Sequence, residues 1–175
     1  MIHHFSIPAH DPSQVARVLA TLLDGRAYRF PGPLPGAAMA VSGDRHGTMI
    51  EIYPETTVMA PGDGEAPVAY RNGLADHSPV GFHVLLSVPH DRATIERIGA
   101  AAGWRTKFFS RAAPGLPPVF HVVEVWVENR LLLEVVPANM IEVYETYMQI
   151  GRMDALDLSL GPQTSHVDKT RGDDR

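Results

Sequence analysis

The chain has no cysteine. That excludes disulfides, thiolate metal sites and a cysteine nucleophile together. It leaves the redox compartment open and is compatible with the cytoplasm, the expected location. There is no apolar run near 18 residues and no signal-peptide pattern, so no membrane partner is expected. There is also no Lys/Arg cluster. Fifteen basic residues against twenty acidic ones give a net charge of −5, and phosphate binding wants a basic face, so nucleic acid is not an expected partner. What remains is a chain of 175 residues with nine histidines. It is long enough to bury roughly 70% of its unfolded surface in one core.

The chain repeats itself. His4-Phe5-Ser6-Ile7-Pro8-Ala9-His10-Asp11 is answered by His83-Val84-Leu85-Leu86-Ser87-Val88-Pro89-His90-Asp91. Each copy opens on a histidine, alternates apolar residues and closes on His-Asp. An amphipathic run then leads to Gly25 or Gly103. A Pro/Gly segment follows at Pro31–Gly36 and again at Pro114–Pro118. Each half ends on an apolar strand carrying an acid, Ile50-Glu51-Ile52-Tyr53-Pro54 and Leu133-Glu134-Val135-Val136-Pro137. A fixed internal repeat outranks other sequence signals.

Taken in order, strands are expected over residues 2–8, 27–30, 37–42 and 48–53, with a helix from Pro12 to about Leu23. Asp11 is a suitable N-cap, Pro12 is tolerated at the first helical position, and Asp24-Gly25 ends the helix. The second half repeats this, with strands near 83–88, 104–109, 119–128 and 131–136 and a helix over 92–102. The expected organisation is a first βαβββ module at 1–54, a connecting segment at 55–80, a second module at 81–137, a C-terminal helix at 138–153 and a disordered tail at 154–175. The connecting segment lacks periodicity, apart from a short strand near Val68–Arg71. The fold class is α+β: two tandem βαβββ modules forming a curved, half-barrel-like mixed sheet, with helices outside and a central cleft.

Strand side chains alternate. If the helices cover Phe5/Ile7 and Val84/Leu86, then His4 and His83 face the cleft. The same parity puts Glu51 and Glu134 there, because Ile50/Ile52 and Leu133/Val135 face the helices. Each half supplies one imidazole and one carboxylate, separated by 47 residues in the first half and 51 in the second. Two imidazoles and two carboxylates suit a divalent metal. A single strand histidine, or a glutamate between aliphatics, is more often simply solvent-facing; the matched set of four carries the metal reading. Counting back from His-Asp selects His3 as the partner of His83, whereas parity selects His4, and a one-residue slip would turn the apolar face outward. Tyr53 shares Glu51's face and is a candidate pocket residue. Glu124 is either an extra acid/base or an exposed strand charge, and Trp126 lines the cleft or joins the core. His10 and His90 stand beside helix caps, and His121 has the opposite parity to Glu124.

The motifs His3-His4-Phe5-Ser6-Ile7, Gly47-Thr48-Met49-Ile50-Glu51-Ile52, Phe82-His83-Val84 and Leu132-Leu133-Glu134-Val135 resemble the vicinal oxygen chelate superfamily over about residues 2–137. The superfamily includes glyoxalase I, fosfomycin-resistance enzymes, extradiol dioxygenases and bleomycin-binding proteins. The resemblance implies one divalent metal ion (Zn, Ni, Mn, Fe or Co) held by His4, Glu51, His83 and Glu134, with Glu134 or Glu51 moving a proton. It implies a glyoxalase-like lyase or isomerase acting on a small oxygenated substrate, and a homodimer. A two-His, two-Glu set looks most like bacterial-type glyoxalase I. An iron-dependent ring-cleaving dioxygenase and a non-catalytic binding or antibiotic-resistance protein are the alternatives.

Overall fold

The structure, a computed structural model, describes residues 2–76, 78, 81–111 and 119–155. The chain builds β1 (His4–Ala9), α1 (Pro12–Leu22), β2 (Arg26–Arg29), β3 (Ala38–Val41) and β4 (Met49–Pro54). After a hairpin, β5 (Thr57–Ala60) and β6 (Ala69–Asn72), the order repeats: β7 (His83–Ser87), α2 (Arg92–Ala101), β8 (Thr106–Arg111), β9 (Phe120–Val127) and β10 (Leu131–Val136). Both helices start as their sequences demand. The Asp11 carboxylate accepts the Gln14 amide at 2.9 Å, and Asp91 accepts that of Thr94 at 2.8 Å, satisfying amides that the first helical turn leaves without partners. Gly25 follows α1 because a β-carbon there would lie 2.0 Å from the Val41 carbonyl oxygen. The β9–β10 turn spans the three residues between the paired Val127 and Leu131, with Glu128 and Asn129 both at positive φ, a backbone shape that suits tight hairpins.

The strands form two mixed four-stranded sheets, β1-β4-β3-β2 and β7-β10-β9-β8. In each, the first and last strands of the module lie side by side and parallel, and the remaining pairs are antiparallel. The half-barrel thus comes as two open halves, each with its module's first strand, β1 or β7, at an outer edge. Their apolar faces meet in one core. Ile7, Val15, Leu19, Ile50 and Ile52 from the first module and Ile95, Trp104, Val123, Leu133 and Val135 from the second belong to a single buried cluster. Polar contacts also join the modules. Glu128 accepts the backbone amides of His10 and Asp11 at 2.7 and 2.8 Å, Arg130 pairs with Glu55 at 2.5 Å, and the His90 ring bonds the Thr21 carbonyl at 2.8 Å.

Two expected elements differ. The connecting segment holds a true hairpin, with β5 in addition to the strand expected near Val68–Arg71. The C-terminal helix is broken into a 3-10 turn at Ala138–Met140, α3 (Ile141–Tyr147) and α4 (Ile150–Ala155). No residue of the 3-10 turn or α3 is buried. The anchoring is aromatic and local, Tyr144 and Tyr147 on Phe120 at 5.1 and 6.2 Å between ring centroids, and a short helix gains most of its stability from packing. The Pro114–Pro118 segment and tail residues 156–175 lie outside the described residues.

Two measurements check these packing and charge arguments. Leu133 is 0% exposed, so Leu133→Ala is expected to cost about 2–5 kcal/mol in chemical denaturation. The His10 ring meets Glu55 at 2.9 Å, a hydrogen bond that raises the His10 pKa and lowers that of Glu55. Their mutual stabilisation is therefore present between the depressed Glu55 pKa and the raised His10 pKa, and is lost as pH rises through the latter. An NMR titration is expected to place the His10 midpoint above the ordinary histidine value, and Glu55→Gln to return it there.

Candidate functional site

Residues in register across a sheet share a face, so strand pairing draws the site directly. Ser6, Glu51, Met39 and Tyr28 form one row across the first sheet. Leu85, Glu134, Glu124 and Lys107 form the matching row across the second. His4 lies opposite Met49, two residues before Glu51, and His83 lies opposite Leu132, two before Glu134. The registers are identical, so His4 is the structural equivalent of His83. The His3 ring instead bonds the His46 carbonyl at 2.8 Å. The opposite faces carry Ile50, Ile52, Leu133 and Val135, each 0–1% exposed.

The two glutamates are the buried acids of the described residues, at 7% exposure for Glu51 and 9% for Glu134. A buried carboxylate is costly unless it is partnered. Glu51 is served by neutral donors: the Ser6 hydroxyl at 3.0 Å and the Tyr53 hydroxyl, both on Oε2. Burial, and then the bond to Glu51, push the Tyr53 phenol well above the ordinary tyrosine range, so it acts as a neutral donor. Tyr53 is held by Phe30 at 5.7 Å and by Tyr70 of the β5–β6 hairpin at 6.1 Å between centroids.

Glu134 is served by a cation. Arg111 at the end of β8 places Nε 2.8 Å from Glu134 Oε1, and its Nη2 bridges Glu134 and Glu124, the latter at 2.9 Å. The Trp126 indole donates to the other oxygen of Glu124 at 3.2 Å. Glu124 and Trp126 therefore both belong to the cleft face. Burial works against the guanidinium charge, but the bonds to Glu124 and Glu134 outweigh it and raise the Arg111 pKa. The half-exposed His83 ring stands on the other side, with Nε2 4.0 Å from Glu134 Oε2. His10 and His90 make the intermodule and loop contacts described above, and His121 stacks on Phe108 at 5.1 Å. Sequence reasoning missed Ser6, Tyr70 and Arg111. Ser6 was available from parity with His4, and Arg111 from parity with Glu124 once β8 was in register; nothing local marks Tyr70.

No family model and no curated protein matches the sequence. Among solved structures, the chain is similar to the fosfomycin resistance protein FosX from Mesorhizobium loti, at 10% identity over 81% of this chain and 94% of that one, with a TM-score of 0.48. It is also similar to a lactoylglutathione lyase from Agrobacterium tumefaciens, at 13% identity, 79% and 93% coverage and a TM-score of 0.44. A third is oxidase ChaP-H2, at 19% identity, 77% and 91% coverage and a TM-score of 0.46. The paired βαβββ modules stand on this chain's own strand order. The likeness is one of architecture, and one architecture hosts many chemistries.

The motif resemblance implies a divalent metal, and the donors here fit one in kind but in two separate pairs. His4 with Glu51 and His83 with Glu134 each combine an imidazole with a buried carboxylate on the cleft face. Among the described residues, no three histidine, aspartate or glutamate side chains gather closely enough to hold an ion. The four expected ligands are thus not assembled by one chain. The two sheets that carry the pairs share a core but no hydrogen-bonded ladder. The Tyr53–Glu51 bond is independent of metal. Tyr53→Phe is expected to cost about 1.5–3 kcal/mol in denaturant titrations of metal-free protein, because it leaves a buried carboxylate one donor short.

Proposed function

We propose that this chain is a metal-dependent, glyoxalase-like lyase or isomerase acting on a small oxygenated substrate, with its site completed by a second copy of the chain. The observation that supports this most strongly is the identical register of His4/Glu51 and His83/Glu134, each pair held on its module's first strand and the parallel strand beside it. A homodimer that sets the first module of one copy beside the second module of the other brings two imidazoles and two carboxylates into one cleft. These are the residues that would hold the ion, in a His/carboxylate set that suits Zn, Ni, Mn, Fe or Co. Bound there, the metal supplies Lewis acidity toward neighbouring substrate oxygens.

The remaining chemistry belongs to the chain. Glu51 and Glu134 are the groups to accept and return a proton on carbon or oxygen. Ser6 and Tyr53 fix the Glu51 carboxylate, and Arg111 fixes that of Glu134. Tyr53, Phe30 and Tyr70 narrow the first half-cleft and help keep water from the reacting atoms.

A ring-cleaving dioxygenase shares this architecture but typically uses a single glutamate, so the second acid favours the lyase or isomerase reading. A sequestering protein is favoured by one observation: both buried glutamates already have partners within the chain. Elemental analysis of untagged protein, with light scattering for mass, tests the proposal. It predicts a dimer carrying about one equivalent of transition metal per site, with the metal lost in His83→Ala and in His4→Ala. Protein that takes up no metal after soaking in Zn, Ni, Mn and Fe salts retires the proposal in favour of sequestration. If a substrate is found, turnover persisting without oxygen separates lyase or isomerase from dioxygenase.

A further inference from the structure

The two half-sites are related by register yet differ in charge. In the first, Glu51 receives two neutral hydroxyl donors. In the second, Glu134 is neutralised by Arg111, whose Nη2 also bonds Glu124 at 2.9 Å. A divalent ion and a guanidinium compete for the same carboxylate, since each is attracted by its charge and repelled by the other. Arg111 holds Oε1 of Glu134, while Oε2 stands 4.0 Å from the His83 ring, so the oxygen toward the second candidate ligand carries no bond to the guanidinium. Glu124 lies directly opposite Glu134 in the β9–β10 register and is itself oriented by the Trp126 indole. Of the pair, Glu124 is the acid without a histidine beside it in the set of candidate ligands.

We propose that Arg111 is a resident counter-cation that sets the metal affinity of the second half-site, and that Glu124 is the carboxylate that takes it up when Glu134 turns to a metal. This rests on the metal-dependent reading above. Empty, the half-site keeps two neighbouring acids stable by sharing one guanidinium between them. Loaded, Arg111 moves fully onto Glu124, which prevents the cation from opposing the ion at close range. Arg111 and Glu124 are positioning residues here, because they act through Glu134.

The test is Zn²⁺ titration by calorimetry on the full-length protein, with metal uptake as the readout and no substrate needed. Arg111→Gln is expected to tighten Zn²⁺ binding by roughly tenfold or more, the scale of one unit charge a few ångströms away in a part-buried site. Glu124→Gln, which leaves Arg111 wholly on Glu134, is expected to weaken binding by a similar factor. In the Arg111→Gln background, Glu124→Gln is expected to lose most of its effect, since the two act through one contact. A gain of affinity cannot come from a damaged fold, so the Arg111 result separates a counter-cation from a structural clamp. Unchanged or weakened binding in Arg111→Gln overturns the proposal. An equal Glu124→Gln effect in both backgrounds overturns the role of Glu124 as the receiving acid. If neither the wild type nor any variant takes up Zn²⁺, the metal-dependent reading itself fails and this inference falls with it; wild-type binding with indifferent variants sinks the inference alone.

Discussion

Glu51 and Glu134 each sit on a strand with a neighbour on both sides, β4 between β1 and β3 and β10 between β7 and β9. Their flanking aliphatics belong to the core, so the strands cannot rotate without exposing Ile50, Ile52, Leu133 and Val135. The acids are therefore fixed on the cleft face and largely buried there. A carboxylate in that position demands donors, and the surroundings of each can be understood as the answer to that demand. The first module answers with hydroxyls from Ser6 and Tyr53, and the second with the Arg111 guanidinium.

The same strands lead into the parts that differ most between the modules. Beyond β4 the chain turns into the β5–β6 hairpin, whose Tyr70 packs edge-on against Tyr53. Beyond β10 it turns into the 3-10 turn and α3, whose Tyr144 and Tyr147 pack on Phe120. Phe120 shares its face with Glu124 and Trp126, as Tyr53 does with Glu51. Two unrelated elements thus cover equivalent ends of the two half-clefts, each through tyrosine. The module repeat supplies the donor pairs, and the segments that break the repeat shape what surrounds them.

The modules are held to each other mainly by the shared core, with charged contacts at the rim. Glu128 binds two amides at the start of α1, where the unpaired N–H groups of a helix N-terminus favour an anion. Arg130, in the same tight turn, reaches Glu55 just past β4. These contacts span more than seventy residues of sequence. Among the described residues, no three candidate donors of the two modules gather in one place.

Local sequence by itself determined the modules. Period-2 alternation, Asp-capped helix starts and the Glu128-Asn129 turn act within a few residues, so the ten module elements were legible with ends displaced by only a residue or two. Parity alone put His4, Glu51, Tyr53, His83 and Glu134 on one face, and the strand registers agree. Tertiary structure decided what no local pattern encodes. It brought Arg111 across β9 to Glu134, set Tyr70 against Tyr53, packed the broken C-terminal helix on Phe120, and placed the two donor pairs apart. The reason is physical: alternation fixes which face a side chain takes, whereas its partner there depends on strand order and on how two packed sheets are turned relative to one another.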